Sequence, residues 1–70
     1  MTQREIREFV VWCFKQPSIE NWSNGKVSEE YYNATGIKVH VTTVANQRNR
    51  WELRGNKLID LRNPYLEYTI

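Results

Sequence analysis

The sequence predicts an α+β fold that is mainly α, with three helices followed by a small C-terminal β-hairpin. Three observations carry that expectation. Ile6, Phe9, Val10, Cys13 and Phe14 recur at helical spacing in one apolar stripe. Gly55-Asn56 lies between Leu53 and Leu58-Ile59, as a two-residue hairpin turn would. Between these features lies "TVANQRNRWELR", a polar helical segment with few apolar anchors.

The chain of 70 residues is read as one domain, 1–70. A domain of this size is only marginally stable unless its core is dense or it carries a staple. Cys13 is the single cysteine and His40 the single histidine, so neither an intrachain disulfide nor a structural zinc site can be assembled. Aromatic residues make up 13% of the chain, enough large side chains to fill a small core without either device. No apolar run reaches membrane-spanning length and no secretory signal is visible, so a cytoplasmic or nucleoid-associated setting is expected. The sequons at 21–23 and 33–35 then read as chance matches.

The first helix is expected over about 2–16. Thr2 and Glu5 have capping-box spacing and Pro17 stops the helix. Cys13 falls on the apolar stripe and reads as a small core residue. Residues 18–26 read as a connector, with Asn24-Gly25 as a tight-turn signal and a short strand as an option near Lys26-Val27. The second helix is expected over about 28–35, capped by Ser28, with Glu29 and Glu30 in its first turn and a Val27–Tyr32 hydrophobic staple. Gly36 is placed to end it in left-handed geometry.

Residues 37–42 alternate apolar and polar and read as an extended turn, with a strand as the rival. His40 falls on the polar side, exposed or against a phosphate. A third helix is expected from a Thr42 or Thr43 cap to about Leu53. Val44 and Trp51 share its inner face, Gln47 and Arg48 flank them, and Thr43, Asn46, Asn49 and Arg50 face outward. The hairpin follows over about 51–61, with Arg54 and Lys57 at its tip. In the tail, 63–70, Leu66, Tyr68 and Ile70 alternate with polar residues as in a last strand packed on the core or on another subunit.

The net charge of +2 is unevenly distributed. Residues 1–35 carry four basic and five acidic side chains, while residues 36–62 carry six basic and two acidic. Such asymmetry suggests an anion-binding face.

The order of elements resembles a winged helix-turn-helix DNA-binding domain over roughly residues 2–61. "VSEEYYNATGI" is similar to the first helix and turn of that motif, "TTVANQRNRW" to its recognition helix and "ELRGNKLIDL" to its wing. The turn is longer than in the tight repressor type, as winged variants allow. The resemblance implies sequence-specific binding to double-stranded DNA, with helix 43–53 in the major groove and the wing on the backbone. Thr43, Asn46, Asn49 and Arg50 are then the base-reading candidates, since Asn pairs with adenine and Arg with guanine. Lys38, His40, Thr42, Gln47, Arg48, Arg54, Asn56 and Lys57 are the candidates for phosphate or wing contacts.

A small transcriptional regulator is the function this implies, of the compact kind found in phages and archaeal viruses. Homodimers or cooperative assemblies are the expected ways for so small a reader to gain affinity. The alternatives are an excisionase-like architectural protein of site-specific recombination, and a winged-helix protein–protein interaction module. No paired nucleophile and base, metal cluster or glycine-rich phosphate loop is present in the sequence, so no enzyme, cofactor or small-molecule ligand is expected.

Overall fold

Thr2 opens the chain's first helix with a reciprocal cap. Its hydroxyl accepts from the Glu5 amide at 3.2 Å, and the Glu5 carboxylate accepts from the Thr2 amide at 3.0 Å. The computed structural model describes residues 1–69, so Ile70 of the expected tail strand lies outside the described residues. Helix α1 spans Gln3–Phe14 and buries Phe9, Val10 and Cys13, three members of the predicted stripe. Lys15 ends the helix just ahead of Pro17. Ser18 turns the chain in left-handed geometry into a single 3-10 turn, Ile19–Asn21.

Helix α2 spans Asn24–Thr35 and starts four residues earlier than expected. Its cap is Ser23, whose hydroxyl accepts from the Lys26 amide at 3.1 Å. Asn24-Gly25 is therefore the first helical turn rather than a reversal, and Lys26-Val27 is not a strand. A glycine costs least at a helix end, where the last-formed backbone hydrogen bonds are already missing. The shift puts Val27 and Tyr31 one turn apart on the inner face, both buried, and leaves Tyr32 exposed, so no Val27–Tyr32 staple forms. Ser28, displaced from the cap, donates its hydroxyl to the Val39 carbonyl and pins the following turn to α2. Gly36 ends the helix as expected, at φ 77°, with its amide on the Tyr32 carbonyl at 2.8 Å.

Residues 37–40 form no strand. Of the alternating apolar side chains only Val39 is buried, while Ile37 and Val41 stay exposed. Helix α3 spans Val41–Arg48, starting two residues earlier and ending five residues earlier than expected. His40, not Thr42 or Thr43, is its cap, with Nδ1 accepting from the Thr42 amide at 3.1 Å. The helix stops at Asn49 because Trp51 already belongs to a strand.

The chain closes in a three-stranded antiparallel meander, β1 (Trp51–Arg54), β2 (Lys57–Asp60) and β3 (Glu67–Thr69), in the order β1-β2-β3. The β1–β2 turn is Gly55-Asn56, as the sequence predicts. Only Gly55 takes a positive φ, 60°, the pattern of a type II′ turn. Registers Leu53↔Leu58↔Tyr68 and Trp51↔Asp60 place these side chains on one face of the sheet. Trp51 and Leu58 from that face join Phe9, Val10, Cys13, Val27, Tyr31, Val39 and Val44 in one core. The tail strand packs on this same chain: Tyr68 lies edge-on to Trp51, with ring centroids 5.9 Å apart, and under the Arg7 guanidinium at 4.5 Å.

Candidate nucleic-acid interface

Helix α3 is held by very few side chains. Val44 is fully buried and Gln47 nearly so, on the side facing the core. Gln47 is buried because its amide oxygen accepts from the Trp51 indole at 2.7 Å, which satisfies both polar groups inside the core. That bond removes Gln47 from the expected phosphate contacts.

Arg48 leaves that set too. Its guanidinium donates to the Trp22 carbonyl at 2.7 Å, the Ile19 carbonyl at 2.8 Å and the Asn24 side-chain oxygen at 3.0 Å. It ties the end of α3 to the 3-10 turn and to the start of α2. Arg50 differs most from expectation. It lies beyond the end of α3, and its guanidinium grips the Asp60 carboxylate with two bonds, at 3.1 and 2.8 Å. Asp60 is 2% exposed and accepts a further bond from the Arg62 amide. The Arg50 pairing, helped by that amide, holds the Asp60 carboxyl below the usual carboxylate range. Arg50 therefore closes the base of the hairpin and does not face outward on a helix. The signal for this partner was in the sequence: counting outward from Gly55-Asn56 sets Asp60 opposite Trp51, beside Arg50.

What remains on the outer face of α3 is Thr42, Ala45, Asn46 and Asn49, one stripe turned away from Val44 and Gln47. Thr42, Asn46 and Asn49 are exposed, and Ala45 is half-buried. Asn46 has no side-chain hydrogen-bond partner among the described residues, whereas Asn49 donates back to the Ala45 carbonyl at 3.3 Å. Thr43 is half-buried on the flank of the helix, a poorer place for a base contact than the sequence projection gave it. Val41, in the first turn, is 45% exposed beside the stripe. Val41 and Ala45 are absent from the sequence-based set because the expected helix began two residues too late and only polar groups were counted.

Around this stripe the electrostatics favour an anion. No acidic residue occurs between Glu30 and Glu52, a stretch that includes the end of α2, the turn and all of α3. Lys38 is exposed in the turn, without an ion pair among the described residues. His40 is exposed at the cap, with Nδ1 engaged by the Thr42 amide. On the hairpin, Arg54 and Lys57 stand opposite each other in register on the sheet face away from the core, and Asn56 is exposed at the tip. Arg54 pairs with Glu52 at 3.0 Å and Lys57 with Glu67 at 3.1 Å. All four side chains are more than 40% exposed, so these pairs contribute little and leave both cations able to turn to another anion.

No protein family, curated protein or solved structure matches the chain. Three helices and a three-stranded antiparallel sheet are compatible with a winged-helix-like arrangement. No helix among the described residues is long and apolar enough to cross a membrane. A concavity of about 200 Å³ lies between α1, the 3-10 turn and the end of α3 and is lined by Phe9, Cys13, Ile19 and Arg48 among others. Burial pushes the Cys13 thiol up to about 11, so it stays protonated at neutral pH, as a core thiol does.

Proposed function

We propose that this protein is a winged-helix reader of double-stranded DNA that acts as a small transcriptional regulator. In this reading α3 enters the major groove and the β1–β2 hairpin lies on the backbone. The observation that carries it is the outer stripe of α3. It is mostly exposed and polar and free of acids, and the exposed Lys38 stands in the turn just before the helix. The base-reading set keeps Asn46 and Asn49, loses Thr43 and Arg50, and gains Thr42 from the phosphate candidates. Lys38, His40, Arg54, Asn56 and Lys57 form the phosphate set, and Gln47, Arg48 and Arg50 serve the fold that presents them.

Titrating the protein into a mixed-sequence duplex at rising salt tests the proposal. Phosphate-mediated binding weakens as salt rises, with a log–log slope of about −0.9 for each phosphate neutralised. Lys38→Ala should lower affinity for all sequences alike and make the slope shallower by about one. If no duplex binds at low salt, the DNA reading fails and the scaffold is a protein-interaction module.

A further inference from the structure

Resting on the DNA reading above, we infer that the outer face of α3 selects A·T base pairs in the major groove, because it lacks the cationic side chains that pair twice with guanine. The inference follows from which side chains the fold removes from that face. Specific guanine recognition relies on Arg or Lys, which donate twice to O6 and N7. Both arginines in this part of the sequence are committed elsewhere, Arg48 to three oxygens of the 3-10 turn and α2, and Arg50 to the buried Asp60 carboxylate. No lysine lies on α3. The exposed stripe therefore offers no cation to a base edge.

What the stripe does offer matches the other base pair. Asn46 is exposed and keeps both its carbonyl oxygen and its amide free, the combination that pairs with adenine through N6–H and N7. Around it stand small methyl-bearing groups, Val41 and Thr42, both exposed, and the half-buried Ala45. A thymine C5-methyl group is the major-groove feature that such side chains recognise. An exposed valine in the first turn of a polar helix is otherwise unexplained, since its neighbour Val44 fills the core position. Asn49 is a weaker contributor because its amide already bonds to the Ala45 carbonyl.

The test compares binding of the full chain to four duplexes at one low salt concentration: alternating dA·dT, alternating dG·dC, alternating dI·dC, and dA·dU, in which uracil replaces thymine. Inosine lacks the guanine amino group, so dI·dC presents a G·C-like major groove and an A·T-like minor groove. Affinity for dA·dT should exceed that for dG·dC by about 5- to 150-fold, the range of one good bidentate contact. The dI·dC duplex should bind like dG·dC, and dA·dU should bind more weakly than dA·dT. Asn46→Ala, whose folding is checked by circular dichroism, should collapse the ratio of dA·dT to dG·dC affinity. Equal affinity for dA·dT and dG·dC overturns the inference while leaving the DNA reading intact. So does dI·dC binding as tightly as dA·dT, which would mean that the minor groove is being read. Absence of binding to all four duplexes overturns both.

Discussion

Two neighbouring parts of the molecule use the same residue types in opposite ways. At the seam where α3 meets the 3-10 turn and the hairpin, Gln47, Arg48 and Arg50 are each bonded to a defined partner, and none is free. On the outer stripe of α3, one to eight residues earlier or later in the chain, Thr42 and Asn46 have no side-chain partner among the described residues and face solvent. The difference teaches that a polar side chain's type does not assign its role. Whether a backbone carbonyl or carboxylate stands within reach decides whether it holds the fold or meets a ligand. In the seam, deleting one partner strands the other, which is the expensive case for a buried polar group. On the stripe, deletion strands nothing.

That contrast is broken most directly at Asp60. Asp60→Ala leaves Arg50 without its buried partner and should destabilise the fold by about 3 kcal/mol, the lower end for breaking a buried pair. For a chain of this length that lowers the melting temperature by about 12–24 °C, which a thermal scan resolves. Arg50→Ala should follow the same direction. A full-strength fold in Arg50→Ala, with altered base preference, would return this residue to the interface and erase the contrast.

The same pair sets an acid dependence. The Asp60 carboxyl is held low in the folded chain, so its contribution is fully present above the unfolded value of about 3.9 and is lost as pH falls through the folded value. Unfolding curves from pH 6 downward should therefore steepen below about pH 4 in the parent chain and be flatter in Asp60→Asn.

Arg48→Met keeps the aliphatic stem and removes the three bonds to Ile19, Trp22 and Asn24. It should cost about 2 kcal/mol, within the range for hydrogen bonds to a charged group, read as a shift in the urea midpoint. Next comes Gln47→Ala, which leaves the Trp51 indole unpaired in the core and should cost about 1–2 kcal/mol. The smallest effect is expected on the stripe. Asn46→Ala should stay within about 0.5 kcal/mol of the parent in the same urea titration while changing DNA preference. Destabilisation of Asn46→Ala comparable to that of Gln47→Ala would mean that the stripe supports the fold and that the two regions are not distinct.

Much of the framework could be read in the sequence because its signals are local. The α1 stripe and capping box, Gly36 as the left-handed end of α2, and the Gly55-Asn56 hairpin each depend on residues within a turn or two of one another. Those are periods and backbone preferences that the chain carries with it. The early start of α2 arose where two local signals competed. Ser23 and Ser28 are both acceptable caps, and Asn24-Gly25 suits either a turn or the first helical residues. The choice went to Ser23 because only that start puts Val27 and Tyr31 together in the core and releases Ser28 for Val39.

By itself the sequence determined the mainly helical α+β order, the hairpin register and the concentration of positive charge after residue 35. The tertiary structure alone decided which polar residues were available to meet a partner. Arg48 reaches carbonyls 26 and 29 residues away in the chain, and the outer face of α3 exists only after it does so. Hydrogen-bond partners at such separation are set by packing, and no local pattern encodes them. Asn46 stays free for the same reason that Arg48 does not: no acceptor or donor from the folded chain comes within its reach.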